Sequence, residues 1–99
     1  MPIHGAHFVT PTALAAWRRL AQSSGDDAAV RAHLLAVLES RIAAYAAEGR
    51  QPEQARNGAV VYRLARSSLP SRQRLRVVVS YSDRGEAPQV VDVLPETGA

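Results

Sequence analysis

The first half of the chain carries apolar residues at the three- and four-residue spacings of an amphipathic helix. Thr10 can cap a helix and Pro11 suits its first position, so a first helix is predicted from about Pro11 to Gln22. An aspartate pair can cap a second, longer helix, which Gly49 is suited to end in a left-handed conformation. The short link between them predicts a helical hairpin.

The second half of the chain changes to the period of two that is typical of strands. Three strands are predicted, at Ala59–Ala65, Arg74–Tyr81 and Gln89–Leu94, and Ile3–Val9 is suited to a short first strand. A polar stretch that ends in an Asn-Gly turn signal precedes the first of the three. The serine-rich connection Arg66–Arg72 is predicted to be a mobile loop.

These elements predict one α+β domain, in which a helical hairpin packs on a small, mainly antiparallel β-sheet. The domain is expected to span residues 1–95, with a turn at Asp83–Glu86 and a flexible tail at residues 96–99. The apolar series of the second long strand is predicted to face the helices, which leaves Arg74 and Arg76 on the open face. The predicted core consists of Leu14, Trp17, Leu34, Leu38, Ile42, Leu75, Val77 and Val79.

All 12 basic residues are arginines, and their placement matters more than the net charge of +3. No acidic residue lies between Glu53 and Asp83, whereas six arginines do, so this window carries +6 and the rest of the chain −3. A guanidinium group offers several donors that fit phosphate and carboxylate oxygens. The pattern therefore predicts a basic sheet that binds a polyanion or an acidic protein segment. The alternative is a solvated arginine face that guards the strand edges.

The order of short strand, two helices and antiparallel meander resembles that of the RelE/ParE-like toxin family of bacterial toxin–antitoxin pairs. The local sequence is similar at His7–Leu14 at the entry to the first helix, at Tyr62–Leu64 and Leu75–Tyr81 in the central hairpin, and at Val90–Leu94 in the next strand. The resemblance covers nearly the whole chain and implies a small protein that binds a cognate antitoxin. Many RelE-like members cleave messenger RNA in the ribosome, whereas ParE-like members act on DNA gyrase.

The resemblance also implies which residues would act on RNA. In the RNA-cleaving branch, basic residues on the sheet hold the scissile phosphate while the ribose 2′-hydroxyl attacks it. By position, Arg63 and Arg76 are the best matches, and Arg66 and Arg74 are further candidates for RNA binding. With Tyr81 as the acid–base group, the implied catalytic set is Arg63, Arg76 and Tyr81.

The C-terminal part of the chain departs from the family pattern. RNA-cleaving members usually carry a basic residue and a tyrosine or histidine just past the last strand, but no histidine, tyrosine or arginine follows Arg84. Tyr62 or Tyr81 would have to replace that group, and a tyrosine, which titrates near 10, needs cationic neighbours to act as a base near neutrality. Whether the protein is an enzyme stays open. The alternative is a non-catalytic protein-interaction module on the same scaffold, such as an inactivated toxin relative or a small partner-binding protein.

The sequence predicts no cofactor and no metal site. His4 and His7 lack further ligands, His33 lies on a predicted helix beside the apolar stripe, and cysteine is absent. The lack of cysteine, of a signal peptide and of a long apolar run favours a cytoplasmic protein that does not span a membrane. The expected partners are a cognate antitoxin and RNA or the ribosome, while the oligomeric state is left open.

Overall fold

The structure, a computed structural model, describes residues 7–81 and 87–96. Within these residues, two helices lie on one face of a five-stranded sheet, so the predicted α+β class is confirmed. The helices are α1 (Pro11–Leu20) and α2 (Asp27–Ala47). The strands are β1 (Phe8–Val9), β2 (Glu53–Gln54), β3 (Ala59–Arg63), β4 (Leu75–Ser80) and β5 (Gln89–Pro95).

The strands lie in the order β1-β5-β4-β3-β2. The pairs β3–β4 and β4–β5 are antiparallel, as predicted for the meander, and β1 runs parallel to β5. The short edge strand β2 pairs with β3 through Glu53 opposite Val61, in the polar stretch for which the sequence predicted no strand. Two exposed polar residues carry no alternation of apolar and polar positions, so a period-two pattern could not reveal this strand.

Side-chain caps begin both helices, as the sequence predicts. The hydroxyl of Thr10 accepts a hydrogen bond from the N–H of Ala13 at 3.1 Å, and a carboxylate oxygen of Asp26 accepts one from the N–H of Ala29 at 2.8 Å. These bonds satisfy donors in the first turn that have no partner within the helix.

The two helices end in different ways. Beyond α2, Gly49 adopts a φ of 67°, the left-handed conformation predicted for it. Helix α1 ends at Leu20, before the predicted Gln22, because Gln22 itself takes a φ of 55° and turns the chain out of the helix. A non-glycine residue in this conformation is not signalled by composition.

The core lies between the helices and the sheet, and the predicted core residues all belong to it. Ile42 is the one member of that set that packs against the core while only partly buried. Leu69 is also buried in this cluster. The prediction of a mobile loop at Arg66–Arg72 overlooked this contact, because one leucine within a serine-rich stretch gives no periodic signal.

A bulge interrupts the pairing of β4 with β5 between Val78 and Val79. Val79 is opposite Val90 and Val78 is opposite Asp92, so Val91 is the additional residue on β5. The bulge lets both Val90 and Val93 face the helices, and it places Asp92 on the open face.

The predicted turn Asp83–Glu86, His4 and most of the predicted first strand lie outside the described residues. Of the predicted tail, Glu96 is described, and its backbone N–H donates a hydrogen bond to the carbonyl of Arg74 at 2.9 Å. In the described ranges, no helix is both long enough and apolar enough to cross a membrane.

Candidate functional site

The sheet face that points away from the helices carries the arginines of β3 and β4. Arg63 and Arg76 are directly opposite each other in the β3–β4 pair. Alternation places them on the same face as Val61 and Val78, whereas the intervening Val77 faces the helices. We call this surface the open face. Two guanidinium groups directly opposite one another repel, so the pair needs a compensating anion.

The compensating anion is the carboxylate of Glu53. One of its oxygens accepts a hydrogen bond from Arg63 at 3.2 Å, and its other oxygen accepts one from Arg76 at 3.5 Å. The register of β2 brings Glu53 to this position, because Glu53 is paired with Val61 on the open face. A single carboxylate therefore bridges two arginines on neighbouring strands, and we call these three residues the arginine–glutamate cluster.

Further charges on the open face balance one another. A carboxylate oxygen of Glu96 lies 3.8 Å from a second terminal nitrogen of Arg63. Arg74, two positions before Arg76, is exposed and forms no ion pair with any residue in the described ranges. Asp92 lies opposite Val78 on the same face. The described open face thus places three arginines beside three carboxylates, and the +6 of the sequence window does not persist there.

Arg66 does not belong to this face. It begins a short 3-10 turn, Arg66–Ser68, that follows β3, and its side chain is exposed. Of the four predicted RNA-binding arginines, the structure groups Arg63, Arg74 and Arg76 on the sheet and leaves Arg66 in the connection.

Tyr81 is not brought to the arginines. It follows the end of β4, five positions beyond Arg76, which corresponds to about 16 Å along a strand. Its hydroxyl lies 3.4 Å from the hydroxyl of Tyr62, whose ring belongs to the core on the helical side of the sheet. The structure therefore separates the predicted catalytic set into an arginine pair on one face and a tyrosine pair on the other.

The tyrosine pair is also poorly suited to proton abstraction. Partial burial raises the pKa of Tyr81, which is still 37% exposed, above its ordinary value near 10, and the hydrogen bond to Tyr62 raises this pKa further. A group that holds its proton this strongly is the neutral phenol at physiological pH. Neither the position nor the pKa of Tyr81 supports its role as the base that would deprotonate a 2′-hydroxyl group.

Tyr45 of α2 holds β3 in place from the helical side. Its hydroxyl accepts a hydrogen bond from the backbone N–H of Arg63 at 3.0 Å, and its ring meets that of Tyr62 edge-on at 5.2 Å. The guanidinium group of Arg50 lies 4.4 Å from the centre of the Tyr45 ring. These contacts fix the end of β3 at the residue whose side chain enters the arginine–glutamate cluster.

A second group of polar residues lies between the two helices. The hydroxyl of Ser23 and a ring nitrogen of His33 are 3.1 Å apart, and the His33 ring lies 5.3 Å from that of Trp17. Ser23 and His33 border a cavity of about 220 Å³. His33 is half-buried, and its bond to Ser23 fixes the chain just after α1. His7 is buried at the sheet edge. Among the described residues, no group of three or more potential metal ligands is present.

The residues that sequence reasoning missed are the acidic partners of the arginines. Glu53 was treated as a limit of the basic window, and Glu96 was assigned to a tail. Both lie on the open face because of their strand partners, Val61 for Glu53 and the carbonyl of Arg74 for Glu96. No local signal marked Glu53, which lies six positions before the predicted strand at Ala59, whereas Glu96 lies two positions beyond the predicted end of the last strand at Leu94.

Comparisons with protein-family models, curated proteins and solved structures found no match to this chain. The resemblance to the RelE/ParE-like family stays a prediction from the sequence.

Proposed function

We propose that this protein is a non-catalytic interaction module on a scaffold that resembles the RelE/ParE-like toxins. Its open face would bind an acidic segment of a protein partner, such as a cognate antitoxin. The observation that supports this most is the arginine–glutamate cluster, in which Arg63 and Arg76 share one carboxylate. A site that binds the carboxylate of its own chain has the geometry to bind one from another chain.

The distribution of charge favours a protein over a long nucleic acid. Binding to a phosphate backbone draws on many uncompensated cations, each of which releases counterions. On the described open face, Arg63 and Arg76 are already paired with Glu53, and Glu96 and Asp92 add negative charge nearby. Local complementarity to a few acidic side chains is compatible with such a mixed surface.

The position of the two tyrosine hydroxyl groups in the described ranges supports binding without turnover. The hydroxyl groups of Tyr62 and Tyr81 bond to one another, away from the arginines. We further propose that the interaction takes place in the cytoplasm, since the chain has no cysteine.

The test is co-expression with the product of the neighbouring reading frame, followed by size-exclusion chromatography with light scattering and by calorimetry. We expect a stable complex with the wild type. Arg63→Glu/Arg76→Glu should weaken it by about 100-fold, because truncating or reversing desolvated charges typically costs several kcal/mol.

Arg19→Glu/Arg31→Glu is the matched control, because it makes the same change in charge at two exposed helix positions outside the open face. Equal loss in both double variants would show that only bulk charge matters. A wild-type chain that stays alone when co-expressed would count against a protein partner from that locus.

A second candidate function is that of a toxin-like domain which acts on RNA at the ribosome. The observation in its favour is that Arg63, Arg74 and Arg76 share one face and that Arg74 has no ion pair in the described ranges. Labelled RNA can be titrated with the wild type and with Arg74→Ala/Arg76→Ala at low and high salt. Strong, salt-sensitive binding that this variant loses, together with cleavage of ribosome-bound message, would favour the toxin over the module.

A further inference from the structure

We propose that Glu53 is an exchangeable internal ligand of the Arg63–Arg76 pair, and that a carboxylate of an acidic, apolar-flanked partner segment replaces it. This inference rests on the proposed interaction function and names the chemistry that the open face recognises. Three observations carry it: the loose geometry of the cluster, an unused donor on Arg76, and the position of Glu53 on a short edge strand.

The bonds to Glu53 are long for their type. Hydrogen bonds between a guanidinium group and a carboxylate usually measure about 2.7–2.9 Å. Those to Glu53 measure 3.2 and 3.5 Å, whereas Arg18 and Asp27 on the helical side of the protein meet at 2.6 Å. The single carboxylate group of Glu53, which is held on β2, cannot approach arginines on two different strands closely at the same time. A ligand that is not tethered to β2 can approach both more closely.

The arginine pair also has unused donor capacity. The Nε atom of Arg76 is buried and has no hydrogen-bond partner among the described residues. Each arginine gives one hydrogen bond to Glu53, although a guanidinium group can donate five. A buried donor without an acceptor is costly, so a ligand that reaches it gains affinity.

The side chain of Glu53 is able to move away from the two arginines without disturbing the core. It lies on a two-residue strand at the edge of the sheet, and both residues of that strand are exposed. Among the described elements, β2 is paired with β3 alone. Exchange therefore requires rotation of one exposed side chain, while Tyr45 keeps the backbone of Arg63 in place.

The residues around the arginine–glutamate cluster indicate which side chains should flank the carboxylate of the partner segment. Leu94 is opposite Arg76 on the open face, and 40% of its surface is exposed. Phe8 lies opposite Gln89 at the far edge and is 65% exposed. An extended segment that places an acidic side chain between the arginines would set apolar neighbours against Leu94. The partner chemistry is thus a carboxylate with apolar residues beside it.

The experiment uses a short synthetic peptide of alternating leucine and glutamate, and the same peptide with glutamine in place of glutamate. Isothermal calorimetry with the full chain should show that Glu53→Gln binds the acidic peptide about tenfold more tightly than the wild type, because the internal competitor is gone. Arg76→Gln should lose this binding, and the glutamine peptide should bind neither protein.

Glu48→Gln is the matched control, since Glu48 also pairs with an arginine, Arg50, at 3.9 Å but lies beyond the end of α2. It should bind the peptide as the wild type does. In a parallel measurement by nuclear magnetic resonance, the Nε–H signal of Arg76 should shift when the acidic peptide is added.

Equal affinities for wild type and Glu53→Gln, or no binding to Glu53→Gln, would overturn the exchange. Inorganic phosphate is titrated in a separate experiment. Tight binding of phosphate with no binding of the peptide would also overturn the proposed exchange and would favour the hypothesis that the open face binds RNA. If the co-expressed partner binds and Arg63→Gln/Arg76→Gln leaves that affinity unchanged, the proposed interaction function is retained. The proposal that Glu53 is exchanged for a partner carboxylate is then rejected.

Discussion

The hydroxyl of Tyr81 illustrates how one side chain can be misassigned when only its sequence neighbours are known. In the sequence it follows an arginine-bearing strand, which suggests a base beside cations. In the fold it contacts Tyr62, and its pKa is raised by burial and by that hydrogen bond. The neutral phenol is the form that the folded state prefers.

We therefore predict that Tyr81 contributes to alkaline unfolding. Because its folded pKa lies above the unfolded value near 10, its contribution to stability is fully present below about pH 10 and is lost as the pH rises further. Between pH 8 and pH 11, denaturant titrations should show a steeper loss of unfolding free energy in the wild type than in Tyr81→Phe. The chain has no lysine or cysteine, so few other side chains titrate in this range. Parallel pH profiles of the two proteins would contradict the assignment.

Truncation of single leucines tests which side chains face the core and which face the solvent. Leu38 of α2 is fully buried between the helices and the sheet, so Leu38→Ala should lower the free energy of unfolding by about 2–5 kcal/mol. Leu94→Ala makes the same chemical change at a half-exposed position on the open face and should cost much less. Chemical denaturation of both variants measures the difference. A similar cost at the two sites would mean that the described core is wrong.

At the scale of the elements, local signals determine where the helices begin. Thr10 is a cap whose hydroxyl also lies 3.4 Å from the carbonyl of Val91, so it connects the start of α1 to β5. Thr12 lies in the first turn of the same helix and is exposed. Two threonines two positions apart therefore differ in role, because only one occupies the capping position.

Thr10→Ala should destabilise the protein by about 0.5–2 kcal/mol, the usual cost of a lost side-chain cap. Thr12→Ala should have an effect near zero or slightly favourable, since alanine has the higher helix propensity. Thermal and denaturant unfolding of the two variants provide the comparison. Equal destabilisation would indicate that the Thr10 cap does not contribute.

The elements were predictable to different degrees, for physical reasons. Long segments such as α2 and β4 were predicted because their apolar side chains recur with a regular period along the whole element. The short strand β2, the bulge at Val91 and the burial of Leu69 were not, because each depends on contacts with distant chain segments. The place of Arg76 on the open face followed from alternation, but its pairing with Arg63 and the neutralisation of both by Glu53 required knowledge of the strand register.

At the scale of the whole molecule, the placement of acids on the open face limits its attraction for polyanions. The net charge of +3 would otherwise favour nucleic acid, but the arginines of the sheet are matched locally. Placement rather than net charge should therefore control any binding to RNA.

Two double variants with the same net charge test this statement. Glu53→Gln/Glu96→Gln removes two acids from the open face, and Asp27→Asn/Glu48→Gln removes two from the helical side. The first should bind labelled RNA more tightly than the second at low salt, and high salt should abolish the gain. Fluorescence anisotropy measures both. Identical affinities would show that net charge alone governs the interaction.

The parallel pairing of β1 with β5 has a consequence for how the protein is made. Thr10 and Val91, which join these strands, are 81 positions apart. During synthesis the helices and the β3–β4 hairpin can form from local contacts, but β1 can pair only after Gln89–Pro95 has been synthesised. Helix α1 packs on both α2 and β5, so the part of its apolar side that faces β5 stays uncovered until β5 has been made. The parallel β1–β5 pair and the β5-facing side of α1 are therefore completed late in folding, after the β3–β4 hairpin.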